Sequence, residues 1–428
     1  MNDRLHILGV CGKLMSGIAV LAKQSGFNVL GYDKAFLPPM SIQLKKFDIN
    51  CINAWETDHI KKEDVIIVGN GILFDNPIIR FARARNIKMI SGPQWLQENI
   101  LANKKVIAIT GTHGKTTVTS WCVDIFYRLG IKVGYLIGGT RLPEGQSADL
   151  GSPESPWFVI EADEYDTAFF DKRPKFLHYW PYILLVNNIE FDHSDIYKDI
   201  AEINKQYQYL FRTVHPDGGI VANIATKDLV PDSSYTFSID GEGALNGLYH
   251  KEMLQIGEQK YPVWGHYNAY NLIAVMAIFR RLQIEVPSSI FDNLTLPKRR
   301  LEDRGIHFGI RWFDDFAHHS TAILAVYNTL LFRYSQVALI IHPASSTQRS
   351  EYGFKSLFKA LKGAGNIAIL PSKRQEKHFD LPKGWVYVAD EDKAVSWARQ
   401  KNVDAVCVMS CDYLEGIFNS LELEKLGN

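Results

Sequence analysis

Apolar residues fall in short bursts along nearly the whole chain, and the bursts are of two kinds. LHILGV, NVLGYD, DVIIVGNG, VIAIT, WFVIEADE, YILLVNN, QVALIIH and VDAVCVMSC are continuous runs ending in Gly, Asn, Asp or His. Runs of this kind are expected of strands buried on both faces of a sheet. Between them IAVLAKQSG, NPIIRFARARN, PQWLQENILANKK, GHYNAYNLIAVMAIFRRLQ and TAILAVYNTLLFRY carry the spacing of amphipathic or buried helices. Strand and helix alternate from end to end, which predicts an α/β fold built on parallel sheets. Residues 231–263 differ: polar, aromatic and glycine-containing, with short alternating runs, they predict hairpins. No internal repeat is detectable.

Two interruptions divide the pattern. A short charged linker near Asn103 precedes VIAIT, and LPKRRLEDRG breaks the apolar rhythm near residue 299. Three units follow: 1–103, 104–298 and 299–428. A chain of 428 residues fits this division, since single cores rarely grow so large. The 47 basic and 47 acidic residues cancel, so no global field draws the chain to nucleic acid or to an anionic membrane. The five cysteines include no C-x-x-C pair, which argues against a disulfide or zinc framework and suits a reducing cytoplasm. No run approaches the roughly 18 apolar residues of a membrane helix, and the N-terminal apolar run is too short for a signal peptide. A soluble, unprocessed protein acting on small molecules is expected.

The strongest chemical signal is VIAITGTHGKTT. Gly111 and Gly114 loosen the backbone between a strand and a helix, where backbone amides and the positive end of the helix favour an anion. Lys115 and Thr116 then suit phosphate and Mg²⁺ respectively, so the stretch Gly111–Thr117, including Thr112 and Thr117, reads as a nucleoside-triphosphate loop. The strict phosphate-loop pattern has glycine where this chain has Ile109. Glu161, at the end of another strand, is placed to coordinate Mg²⁺, while Asp163, Glu164 and Asp166 read as hydrogen-bonding or surface groups. His193 reads as a second metal ligand, a base, or an ordinary histidine. Asn268 and Asn271 share a helix face near its start, where either of them can instead serve as a cap.

The N-terminal glycines Gly9, Gly12 and Gly17 lack G-x-G-x-x-G spacing and read equally as a pyrophosphate loop, with Asp33 toward a ribose, or as packing glycines. Asp315, His318 and His319 form a further polar knot. It makes a poor zinc motif, because no third and fourth soft ligand stands at suitable spacing.

In this order TGTHGKTT, VIEADEYDTAFFDK, NNIEFDHSD, GHYNAYN, RRLEDRG and DDFAHHSTAI resemble the motifs of the ATP-dependent Mur ligases of bacterial cell-wall synthesis. PPMS, SGPQWL and EYDTAFFDKRPKF are most similar to the branch that returns a peptide of old wall, L-alanyl-γ-D-glutamyl-meso-diaminopimelate, to UDP-N-acetylmuramate. The resemblance implies a Rossmann-like UDP-sugar domain, a central ATPase-like domain, and a Rossmann-like C-terminal domain holding the amine substrate. It implies ATP and Mg²⁺ as cofactors, an acyl-phosphate intermediate, and a monomer or weak oligomer.

By motif position it assigns Lys115 to the β/γ-phosphates and Thr116, Glu161 and His193 to metal. Asn268 and Asn271 fall to adenine, Arg300 to the phosphates and Asp315 to the ribose. Gly9, Gly12, Ser16 and His113 fall to the UDP-sugar. Lys205 is the nearest counterpart of the carbamylated lysine of some relatives. Two departures lie in the C-terminal unit: His342-Pro343-Ala344-Ser345-Ser346 stands where Glu-Pro-Arg-Ser-Asn is usual, and Ser410-Cys411-Asp412-Tyr413 where Ser-Asn-Gly-Gly is usual. Arg349 is the nearest substitute for the missing arginine. Alternatives are the UDP-N-acetylmuramate–L-alanine branch, a non-ligating relic that binds both nucleotides, and, on the first βαβ unit alone, an NAD-dependent oxidoreductase.

Overall fold

The computed structural model describes residues 4–141, 145–192, 196–375 and 377–423. In it the apolar bursts form three largely parallel sheets in succession along the chain. The first runs in the order Asn50–Ile52, Asn28–Tyr32, Arg4–Leu8, Val65–Val68, Lys88–Ser91, with every pairing parallel. Its order reverses beside Arg4–Leu8, so the loops at Gly9 and Gly69 flank the crevice in which open α/β sheets take ligands.

The central sheet has ten strands with Lys105–Thr110 in its interior, between Ile183–Val186 and Trp157–Glu161 and parallel to both. Three polar clusters therefore leave the sheet side by side at its carboxyl edge. The 231–263 stretch is extended as expected, but only part of it forms hairpins. Leu245–His250, Met253–Ile256 and Gln259–Pro262 make an antiparallel meander, whereas Tyr235–Ile239 joins its neighbours in parallel. The third sheet has six strands, five of them parallel, with Glu302–His307 as an antiparallel edge.

Alternation along the Lys105–Thr110 strand decides how the units join. Val106 and Ala108 face a core that also contains Leu5, Ile7 and Ile18, while Ile107 and Ile109 face the helices Lys115–Arg128 and His266–Arg281. The first two units thus share one continuous core. Gly17 permits the approach, since a Cβ there would overlap Leu136. Gln43 sews the same seam, donating to Ser147 Oγ at 2.8 Å and accepting from its amide at 2.6 Å. The third unit instead has its own cores on the two faces of its sheet, and Trp264 and Tyr267 of the central unit pack against one of them. No described helix is long and apolar enough to cross a membrane.

One buried polar group in the first sheet gives a pH-dependent stability. His6 is fully buried between Tyr32 Oη at 2.9 Å and Asp64 Oδ2 at 2.8 Å, and burial holds its pKa below the ordinary 6.5. The unfolded chain therefore takes up a proton that the folded chain resists. Its contribution is complete above pH 6.5 and is lost as the pH falls through the folded value. Melting followed from about pH 7.5 to about pH 5.5 is expected to show a falling Tm, with a shallower fall in His6→Gln.

Candidate active site

Two glycines shape the loop after Lys105–Thr110. Gly111 (φ +138°) and Gly114 (φ +84°) adopt conformations that L side chains avoid, and a Cβ on Gly114 would strike Asn271 and Asn187. Gly114 is the N-cap of Lys115–Arg128 and makes no side-chain capping bond, so the first amides of that helix are left for an anion. Lys115 Nζ donates to the Gly111 carbonyl at 2.7 Å and lies 3.2 Å from Glu164 Oε2 and 3.7 Å from Asp163 Oδ1. Burial favours its neutral form, but Glu164, Asp163 and Glu161 outweigh this and raise its pKa, so it stays an ammonium.

Thr116 Oγ1 donates to Glu161 Oε2 at 3.0 Å, and the same oxygen accepts from the Gly138 amide at 2.8 Å. A hydroxyl and a carboxylate converging beside a phosphate loop are the oxygen donors that Mg²⁺ prefers, so the residues fit that ion. From the third unit Arg300 Nη2 reaches Thr116 Oγ1 at 2.9 Å. Asp315 accepts from the amides of Leu301 at 2.6 Å and Ala317 at 2.7 Å, which fixes the hinge that carries Arg300. Burial raises its pKa.

All three units wall one cleft of about 1440 Å³. It exceeds the roughly 300–1,000 Å³ of an ordinary small-molecule pocket and so has room for more than one substrate. Gly9, Gly12, Thr112, His113, Gly114, Lys115, Thr116, Thr117, Glu161, Asn271, Arg300 and Asp315 all line it. Three expected residues stand behind the wall. Ser16 is fully buried on the inner face of its helix, its hydroxyl on Lys13 O at 3.1 Å and on Met40 Sδ at 2.8 Å. Asn268 donates to Trp264 O at 2.9 Å and accepts from Asn271 at 3.3 Å, so it braces its neighbour. Gly111 contributes the carbonyl that Lys115 holds. His113 turns toward the third unit, with its ring 4.9 Å from that of His319. His193 lies outside the described residues. Lys205 is exposed on the helix Ile200–Phe211, and Arg349 folds back onto the Ala344 carbonyl, so neither lines the cleft.

Lys13 was missed by sequence reasoning. It opens the helix Lys13–Gln24 at the switch-point crevice, and its ammonium sits 3.7 Å over the Phe316 ring of the third unit. Lys13 is exposed as a residue, and the lost hydration where its ammonium faces the third unit brings its pKa down to about 8. The signal was its place immediately after Gly12, on the open first turn of a helix. His318 was named only as part of a knot. It also lines the cleft, and burial lowers its pKa to about 4, which leaves a neutral ring at neutral pH. The two departing segments lie together, since Val337–Ile341 and Ala405–Met409 are neighbouring strands. His342 Nε2 is 3.9 Å from Asp412 Oδ2, and Cys411 and Asp412 line the cleft.

Comparison with known proteins defines the class. The Mur ligase middle domain matches residues 109–279, and the Mur ligase family catalytic domain matches residues 4–104. The chain belongs to the Mur ligase family, ATP-dependent ligases that form carbon–nitrogen bonds. It is 34% identical, over 99% of both chains, to the UDP-N-acetylmuramate–L-alanyl-γ-D-glutamyl-meso-2,6-diaminoheptanedioate ligase of Haemophilus influenzae. A murein peptide ligase from Psychrobacter arcticus superposes with a TM-score of 0.76 at 28% identity, covering 100% of this chain and 99% of that one. The UDP-N-acetylmuramate–L-alanine ligase of Syntrophomonas wolfei is 29% identical over 86% of this chain and 81% of its own.

Proposed function

We propose that the protein uses ATP to join UDP-N-acetylmuramate to L-alanyl-γ-D-glutamyl-meso-diaminopimelate, returning a peptide of old cell wall to the precursor pool in the cytoplasm. The observation that carries this reading is the end-to-end similarity to a ligase named for that reaction, together with one cleft walled by all three units. We assign residues 1–103 to the UDP-sugar, 104–298 to ATP and 299–428 to the peptide amine, with the protein acting as a monomer or weak oligomer without nucleic acid or membrane.

A carboxylate is a poor electrophile, and it and a triphosphate repel each other. Lys115, the open amides of Lys115–Arg128 and Arg300 neutralise the phosphoryl oxygens during transfer of the γ-phosphoryl group of ATP to the lactyl carboxylate, which becomes an acyl phosphate as ADP leaves. Lys13 offers a further cation from the sugar side. Thr116 and Glu161, and by motif His193, would hold Mg²⁺, which supplies charge neutralisation when bound. Asn271, braced by Asn268, meets adenine, and Asp315 meets the ribose while holding the Arg300 hinge. Gly9 and Gly12 take the UDP pyrophosphate. The amine then attacks the acyl carbon and phosphate leaves. Walls from three units hold the three reactants together, and this proximity accounts for much of the rate.

Phosphate release from ATP/Mg²⁺ with UDP-N-acetylmuramate is the test, with no acceptor, L-alanine or the tripeptide added in turn. Release is expected with the tripeptide. Release with L-alanine alone would move the protein to the biosynthetic branch. No release with either would make it a nucleotide-binding relic.

A further inference from the structure

One polar cluster at the seam between the central and third units takes no part in holding the ATP phosphates, although the resemblance gives one of its members, His113, to the UDP-sugar. His113 comes from the phosphate loop, Glu190 from the segment after Ile183–Val186, and His319 from the N-cap of the helix Ser320–Arg333. Glu190 Oε2 is 3.6 Å from His113 Nε2 and 3.5 Å from His319 Nδ1, and all three atoms lie within 4.8 Å of one another. Both nitrogens are buried and neither makes a hydrogen bond among the described residues. The separations are long for hydrogen bonds. They are close to the roughly 3.3 Å between donors that each stand about 2.0–2.1 Å from a tetrahedral ion.

We propose that His113, Glu190 and His319 form a binding site for a divalent transition-metal ion of the zinc class. It is distinct from the oxygen-rich Mg²⁺ site at Thr116 and Glu161. Two imidazoles and one carboxylate select zinc-like ions over magnesium, and three protein ligands leave a fourth position for another donor, beside the cleft that His113 and Glu190 line. The surrounding bonds hold the ligands in place. Thr321 Oγ1 donates to Glu190 Oε2 at 2.7 Å, and the Glu190 amide donates to Thr112 Oγ1 at 2.8 Å. Asn187 and Asn188 both donate to the His113 carbonyl at 3.1 Å. Because His113 precedes Lys115 by two residues and His319 opens a helix of the third unit, a bound ion ties the phosphate loop to that unit and restrains opening of the cleft.

The test is Zn²⁺ uptake by the full chain in excess Mg²⁺, read by competition with a chromophoric chelator. The wild type is expected to take up a single tight equivalent. His319→Ala and Glu190→Gln should each weaken it by more than about tenfold. Thr321→Val removes only the hydroxyl that orients Glu190 and should weaken it by a smaller factor. It serves as the measurement if a ligand variant fails to fold. Co²⁺ should give the visible absorption of a tetrahedral site, absent in His319→Ala. No uptake by the wild type, or undiminished uptake in folded His319→Ala and Glu190→Gln, overturns the site. Since the readout is binding, a protein that ligates the tripeptide but takes up no zinc would sink this inference and leave the proposed function standing.

Discussion

Lys115→Ala is expected to lower ATP-dependent phosphate release by about 10³-fold while leaving the affinity for UDP-N-acetylmuramate nearly unchanged. Its ammonium is held at the mouth of the phosphate loop by a loop carbonyl and two carboxylates, and those acids keep it charged. Charge that develops on the phosphoryl oxygens therefore meets a cation already in place. Removing it also leaves Glu164 and Asp163 without that partner beside the phosphates, which adds repulsion to lost attraction. The glycine loop at Gly9 and Gly12 belongs to a different sheet and does not depend on it. Isothermal titration with the sugar nucleotide and a coupled phosphate assay separate the two effects. Parallel loss of both would mean that Lys115 also holds the sugar, and the assignment of one nucleotide to each of the first two units would fail.

What was legible in the sequence was local. The phosphate loop is a strand, a glycine turn and a helix within a dozen residues, so its chemistry and its geometry are specified together. Glu161 was legible for the same reason, as a carboxylate just past an apolar run. Ser16 and Asn268 show the limit: motif position or spacing places a residue on a helix, but which face meets the core depends on what packs there. In Ser16 the packing partner is Met40, and in Asn268 it is the Trp264 carbonyl. The union of the first two units in one core was also hidden, because Val106 and Ala108 are not distinguishable from Ile107 and Ile109 by pattern.

Spacing shows only the sequence neighbours of the knot at Asp315, His318 and His319. In the fold His319 stands beside His113 and Glu190, which come from segments more than a hundred residues away and are brought there by the carboxyl edge of the central sheet. The carboxyl edge of the third sheet explains in the same way why the acceptor side resists reading. Ala344, Cys411 and Asp412 depart from the expected motifs at adjacent strand ends, and His342 and Asp412 face each other there as a pair. A compensating change between two such positions is visible only once the strands are known to be neighbours.

Glu161→Gln is expected to be the second severe variant, with a fall in turnover of about 10²- to 10³-fold and a raised requirement for Mg²⁺. Glu161 Oε2 accepts from both Thr116 Oγ1 and the Gly138 amide, so the carboxylate is aimed before any substrate arrives. Its surroundings are tight, because a Cβ on Gly138 would come within 3.0 Å of its carboxyl group. Glutamine keeps the shape and one acceptor oxygen but loses the charge, which isolates electrostatics from packing. If the carboxylate serves the metal, turnover in the variant should climb with added Mg²⁺ well beyond the concentration that saturates the wild type, while thermal stability stays close to wild type. A loss of the same size that added Mg²⁺ cannot relieve, accompanied by a lower Tm, would make Glu161 a brace for Thr116 and the 138 loop and would move the metal to other oxygens of the cleft.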